Sequence, residues 1–322
     1  MELVMDLLNL PHLHLLLNHV PTIGTVVGLG LLLLSLVRKN DDLRRASLEV
    51  FFLIALLSLP AYLSGNAALK VIEGRPDVSA AFVAAHQDEA VLALVFMEIT
   101  GLVAWFGLWQ MRRNHPRQAA RWNLPAVLVL AVLTLALMAK TATLGGEIRH
   151  EEIRTTQEIA AATGAEAGWF TSTSIAAWVN RVPWVWPASE TLHFMGLCLL
   201  FGVVLIVNLR MLGFMKSLAF VDVRRLLPLG MVGFGINLVT GMLFFISTPG
   251  QYAENVAFYW KMLLVLLGGA HVLYLTVFDQ PWTVGPGDDP PLTAKVLAGS
   301  AIFIWVGVLY FGRMLPYIGN AF

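Results

Sequence analysis

Eight apolar stretches divide this chain of 322 residues, each long enough to cross a bilayer core at about 20 residues per crossing. They cover approximately 10–37, 46–67, 86–111, 124–145, 189–212, 226–246, 258–277 and 293–311. Backbone amides find no water partner in lipid, so runs of this length are forced into helices. The composition, 57% hydrophobic and only 13% charged, excludes an ordinary soluble domain and excludes disorder. The expected fold is an all-α integral membrane protein of about eight transmembrane helices in two four-helix bundles.

The formal net charge of +0 gives no footing for nucleic acid, and the placement of charge carries the information instead. Arg38, Lys39, Arg44 and Arg45 follow the first stretch, Arg112, Arg113, Arg117 and Arg121 the third, and Arg210, Lys216, Arg224 and Arg225 the fifth. By the positive-inside rule those connections are cytoplasmic, which puts both termini on the outer side of a prokaryotic inner membrane. The first stretch has no basic n-region and no A-x-A site, so it is expected to stay as a helix rather than be cleaved as a signal peptide.

The longest connection separates an N-terminal bundle, 1–146, from a C-terminal one, 189–322. Within 147–188, the charged, Ala-rich segment 147–166 suits an exposed helix. Trp169, Trp178, Trp184 and Trp186, with Pro183 and Pro187, suit a segment at headgroup level on the outer face.

The single cysteine, Cys198, permits no disulfide within the chain, and without C-x-x-C-H there is no covalent haem attachment site. There is no P-loop, no H-E-x-x-H and no cysteine cluster. Chemistry therefore falls to polar groups within the spans, which are costly to desolvate and need a cofactor, an ion or a hydrogen-bond partner. His14 and His19 lie at the start of the first span and His86 opens the third from the same side. At a rise of about 1.5 Å per residue, His19 sits about 10 Å inside the outer edge and His14 near that edge. Five residues apart on a helix, the two diverge by roughly 140° and do not reach one iron together. One of them is expected to pair with His86 across a haem, with His19 preferred as the better buried. His12 is expected at the interface, and His115 and His150 lie in connections.

In the second half, His193 is again in the outer leaflet and His271 lies past the middle of the seventh span. A depth mismatch of about 10 Å argues against a direct His193 and His271 pair. Met242 and Met231 are at suitable depths as alternative axial partners for His193 and His271. Glu98 and Lys140 are the costliest groups in the hydrocarbon region, and mutual pairing is expected ahead of a proton path. Asp88, Glu89 and Glu190 either hydrogen-bond the imidazoles or mark helix entrances. Gly24, Gly28 and Gly30, and Gly230, Gly233, Gly235 and Gly241, either let helices approach or make room for a flat macrocycle.

Leu13, His14, His19 and Pro21, then Ser64, Gly65 and Asn66 as a small-residue turn, then His86 carry a resemblance. Over about a third of the chain, they resemble a family of uncharacterised prokaryotic four-helix membrane proteins with the pattern L-H-P-x-x-x-H-F-P. Leu15 stands for the usual proline and Val20 for the phenylalanine. That resemblance implies a b-type cytochrome membrane domain with its histidines as haem ligands. The second half resembles another uncharacterised four-helix family through Glu190, His193, Phe201, Gly202, Leu209, Arg210, Leu212, Gly213, Lys261, Gly312 and Arg313, with Asn208 in place of an acidic residue.

The functional expectation is a b-type cytochrome in the membrane, with one or more haems held by His19, His86, His14, His193 and His271. It would pass electrons between the quinone pool and a redox partner on the outer face. The alternatives are a cofactor-free anchor or assembly subunit, and a metal or small-solute transporter working through the histidines, Glu98 and Lys140.

Overall fold

The computed structural model describes residues 9–75, 78–113, 122–148, 154, 171–278, 285 and 287–318. Among the described residues, twelve helices account for the regular structure and there is no strand. They are α1 (Leu10–Leu17), α2 (His19–Arg38), α3 (Asp41–Ile72), α4 (Ala80–Arg113), α5 (Asn123–Glu147), α6 (Ser172–Arg181), α7 (Val185–Met211), α8 (Phe220–Arg224), α9 (Leu227–Ser247), α10 (Pro249–Ala253), α11 (Val256–Val277) and α12 (Leu292–Met314). Among the described residues, eight helical segments are long and apolar enough to cross a membrane, the first being α1 with α2 and the sixth running from Phe220 to Ser247. The protein is thus a multi-pass, all-α membrane protein whose outward faces meet lipid.

Two compact units divide the chain, Met1–Trp178 and Val179–Phe322. In the first, α2 packs on α3, α3 on α4, α4 on α5 and α5 back on α2, which closes a four-helix ring. Local chemistry sets its joints. Pro21 has no N–H for the Leu17 carbonyl, and the helix breaks at Asn18, between α1 and α2. Lys39 ends α2 in the left-handed region, and the Asn40 side chain accepts from the amides of Asp42 and Leu43 to start α3. Gly24 and Gly28 of α2 lie where a Cβ would press on Ile54 and Phe51 of α3, while Ser47 donates to the Gly28 carbonyl at 2.8 Å. These glycines are contact points between helices, and Gly30 faces open space. Leu32, Leu48, Phe51 and Met97 are wholly buried between the helices.

Arg154 donates to the carbonyls of Glu147 and Ile148 at the end of α5, and its guanidinium covers the Phe82 ring at 4.6 Å. Apart from Glu147, Ile148 and Arg154, the expected exposed helix over 147–166 lies outside the described residues, as does Trp169. Trp178 and Trp184 are exposed, whereas Trp186 packs on Phe244 with ring centres 5.0 Å apart. Ser64, Gly65 and Asn66 do not form the expected turn. They lie inside α3, which continues to Ile72, and their small side chains make room for a neighbour instead.

In the second unit α7 lies between α9 and α12, and α12 packs on α11. The α7–α9 crossing brings backbones into contact: a Cβ on Gly233 would stand 2.6 Å from the Gly196 carbonyl oxygen. Trp305 of α12 fills the space above Gly268 of α11, and Leu264 of α11 that beside Gly307. At the far end of this unit, Arg210 is fully buried, donating to the Leu218 carbonyl at 2.8 Å with its guanidinium over Phe220. There Asp289 receives both Lys295, at 2.6 Å, and Lys216, at 3.1 Å.

Candidate cofactor site

The short helix α1 lies against α3 and presents His14 to it. The His14 Nδ1 stands 2.9 Å from the Ala61 carbonyl oxygen. A carbonyl only accepts, so Nδ1 carries a proton, and in the neutral ring Nε2 is the nitrogen with the lone pair. Ser64 donates its hydroxyl to the same carbonyl at 2.9 Å. A Cβ on Gly65 would come within 3.2 Å of the His14 ring, so the imidazole occupies the place of a missing side chain.

The construction recurs at His86. Its Nδ1 stands 2.9 Å from the Thr141 carbonyl oxygen on α5, and a Cβ on Gly145 would come within 3.2 Å of its ring. In both cases the accepting carbonyl precedes the glycine by four residues. His14 and His86 are each half-buried and within electrostatic reach of one another, toward the end of the unit where α1 and α4 begin.

His19 does not share this site. Expected to be the better buried of the first two histidines, it is exposed, while His14 is half-buried. Five residues of helix turn the second imidazole away from the face that docks on α3, so only one of the two points inward. His12 is exposed, and His115 and His150 lie outside the described residues.

The acidic groups also go elsewhere than expected. Lys140 does not pair with Glu98; it donates to Glu89 at 2.7 Å, with the lysine side chain 65% exposed and the glutamate 8%. Glu98 is buried and takes the Ser58 hydroxyl at 3.0 Å, a hydroxyl also 2.7 Å from the Ala55 carbonyl. Lysine's long stem lets its ammonium leave the bundle, so it pairs with the carboxylate at the rim and not the central one. Asp88 accepts from the Ser172 hydroxyl and the Thr173 amide, an anion at the start of α6. His14 and His86 are oriented by carbonyls, not by these carboxylates.

In the second unit, His193 Nδ1 lies 2.8 Å from the Thr240 hydroxyl and its ring 5.6 Å from that of Phe244. Glu190 is exposed. His271 is half-buried, and its Nε2 is buried without a hydrogen-bond partner.

Among the described residues, no group of three or more His, Cys, Asp or Glu is arranged to hold a metal ion. A haem asks less of the protein, because one or two imidazole nitrogens suffice to hold it. His14 and His86, each with Nδ1–H on a helix carbonyl and no hydrogen-bond partner for Nε2 among the described residues, are donors of the type a haem takes, so the residues present fit one. Gly65, Gly145, Ala61, Thr141, Thr240 and Lys261 complete the polar sites. A glycine is visible in sequence, but a main-chain carbonyl acceptor leaves no mark there. Compared with protein-family models, curated proteins and solved structures, the chain matches none.

Proposed function

We propose that this protein is a membrane-embedded b-type cytochrome in which His14 and His86 would hold a haem b. It carries electrons between the quinone pool and a redox partner on the outer, periplasmic face of a prokaryotic inner membrane. The observation that carries the reading is the matched anchoring of two imidazoles within electrostatic reach of one another. Each donates Nδ1–H to a helix carbonyl and each is seated over a glycine. Such second bonds fix the tautomer, orient the ring and raise the basicity of the ligating nitrogen.

When bound, the haem supplies one-electron redox chemistry. The chain's own groups would hold it: His14 and His86 would present Nε2, Ala61 and Thr141 aim the rings, and the apolar bundle keeps the surroundings at low dielectric. The basic residues that follow the first, third and fifth spans support the orientation, with the site in the outer leaflet. A transport reading finds less support, because Glu98 and Lys140 have separate partners.

The test is a reduced-minus-oxidised spectrum of the purified protein expressed with ample haem. A b-type α-band is expected, lost in His14→Ala and in His86→Ala and kept in His19→Ala. No α-band in the wild type, or a band that survives both of the first two replacements, overturns the proposal.

A further inference from the structure

Each of the four spanning helices of the second unit contributes one part of a second polar cluster. These parts are His193 on α7, Thr240 with Gly241 on α9, Lys261 on α11 and Gly312 on α12. All four lie toward the end where α7 and α11 begin and α9 and α12 finish. The hydrogen bonds settle the protons. Thr240 donates its hydroxyl to the Ile236 carbonyl at 2.7 Å, which commits its one proton. His193 Nδ1, 2.8 Å from the same oxygen, must then be the donor, and in the neutral ring Nε2 is left as an acceptor.

Lys261 is half-buried a few residues inside α11 and within electrostatic reach of His193. Its ammonium has neither a hydrogen bond nor an ion pair among the described residues. A Cβ on Gly312 would lie 3.8 Å from Nζ, so with glycine there no side chain covers that flank. An unpartnered ammonium inside a span calls for an oxygen acceptor. Phe244 beside His193, and Trp186 tilted against Phe244 with ring centres 5.0 Å apart, add an aromatic wall.

The ligand must answer a strong donor and an acceptor together. A simple anion satisfies Lys261 but meets the His193 lone pair with repulsion. A quinone offers acceptors only. A hydroquinone ring offers both, since one hydroxyl oxygen accepts from Lys261 while another hydroxyl donates to His193 Nε2. We propose that this cluster binds the head group of a membrane quinol, with Lys261 as donor, His193 as acceptor and the tail left in lipid. This deepens the cytochrome reading, on which it rests only for the quinol itself, because the site needs no haem in order to bind.

The experiment measures anaerobic binding of a decyl-chain benzoquinol to the purified full chain by titration calorimetry, with the α-band recorded on the same samples. Wild type is expected to bind one equivalent and to prefer the quinol to the matching quinone. Lys261→Met weakens binding by about tenfold or more, as for loss of a charge-assisted hydrogen bond, and Lys261→Arg largely restores it. Thr240→Val weakens it too by freeing the His193 ring, and Gly312→Leu by covering the ammonium, which provides the measurement if Lys261→Met does not fold. The α-band stays unchanged throughout. Wild-type affinity in both Lys261→Met and Gly312→Leu, or displacement of the quinol by sulfate at ordinary buffer concentration, overturns the site. Lysine-dependent quinol binding in a protein with no α-band keeps this site and sinks the cytochrome reading.

Discussion

His14 donates its Nδ1–H to the carbonyl of Ala61 across 2.9 Å, a bond made possible because residue 65 has no side chain. A helical carbonyl already accepts from the amide four residues on, so a second donor approaches it past that residue's Cβ position. His86, Thr141 and Gly145 repeat the relationship. Gly65→Leu and Gly145→Leu should each displace an imidazole and lower haem affinity by about 10–100-fold, the usual penalty for losing a ligand's supporting bond. Gly30→Leu, which points into open space, should leave the haem-to-protein ratio unchanged.

The Glu89–Lys140 pair is lopsided, the carboxylate nearly buried and the ammonium mostly exposed. Lys140→Met strands a buried charge, whereas Glu89→Gln leaves a lysine free to reach the headgroups. Thermal unfolding in detergent should therefore show Lys140→Met as the more damaging change, by about 1–3 kcal/mol. Equal costs for the two would mean that Glu89 is better hydrated than its burial implies.

Gly233 and Gly30 are both helical glycines with opposite surroundings. Alanine at 233 brings a Cβ against the Gly196 carbonyl and the Leu200 amide, which belong to backbone that yields little. Gly233→Ala is expected to destabilise the protein by about 1–3 kcal/mol. Gly30→Ala meets nothing and should stabilise by about 0.5–1 kcal/mol through helix propensity. Melting temperatures of the two variants provide the comparison.

Hydrogen bonds from Lys295 and then Lys216 hold the Asp289 carboxyl below its ordinary range. A carboxyl whose folded pKa is depressed adds stability above its unfolded pKa, about 3.9, and loses it as pH falls through the lower folded value. Because the group is exposed, the effect is small and screened by salt. Wild type should melt slightly above Asp289→Asn at pH 7 in low salt, and the gap should close as the pH falls through the depressed folded pKa, or in about 1 M salt. A gap that persists at low pH would rule out the charge as its source.

The number of crossings, the all-helical class and the candidate status of His14, His86 and His193 follow from the sequence alone. Apolar length and the cost of a polar group in lipid are properties of a segment and require no knowledge of its neighbours. Tertiary structure decided the rest. Pro21 breaks the first span at Asn18, and docking of α1 on α3 turns His14 inward and leaves His19 outside. Lys140 chose Glu89 over Glu98 because a flexible stem reaches the rim, and the residues read as a turn at 64–66 became a seat for an imidazole. Each outcome depends on which face of one helix meets another, and on carbonyl acceptors that every residue carries and no side chain announces. A span is a sum over its own residues, whereas a site is a meeting of faces that only packing selects.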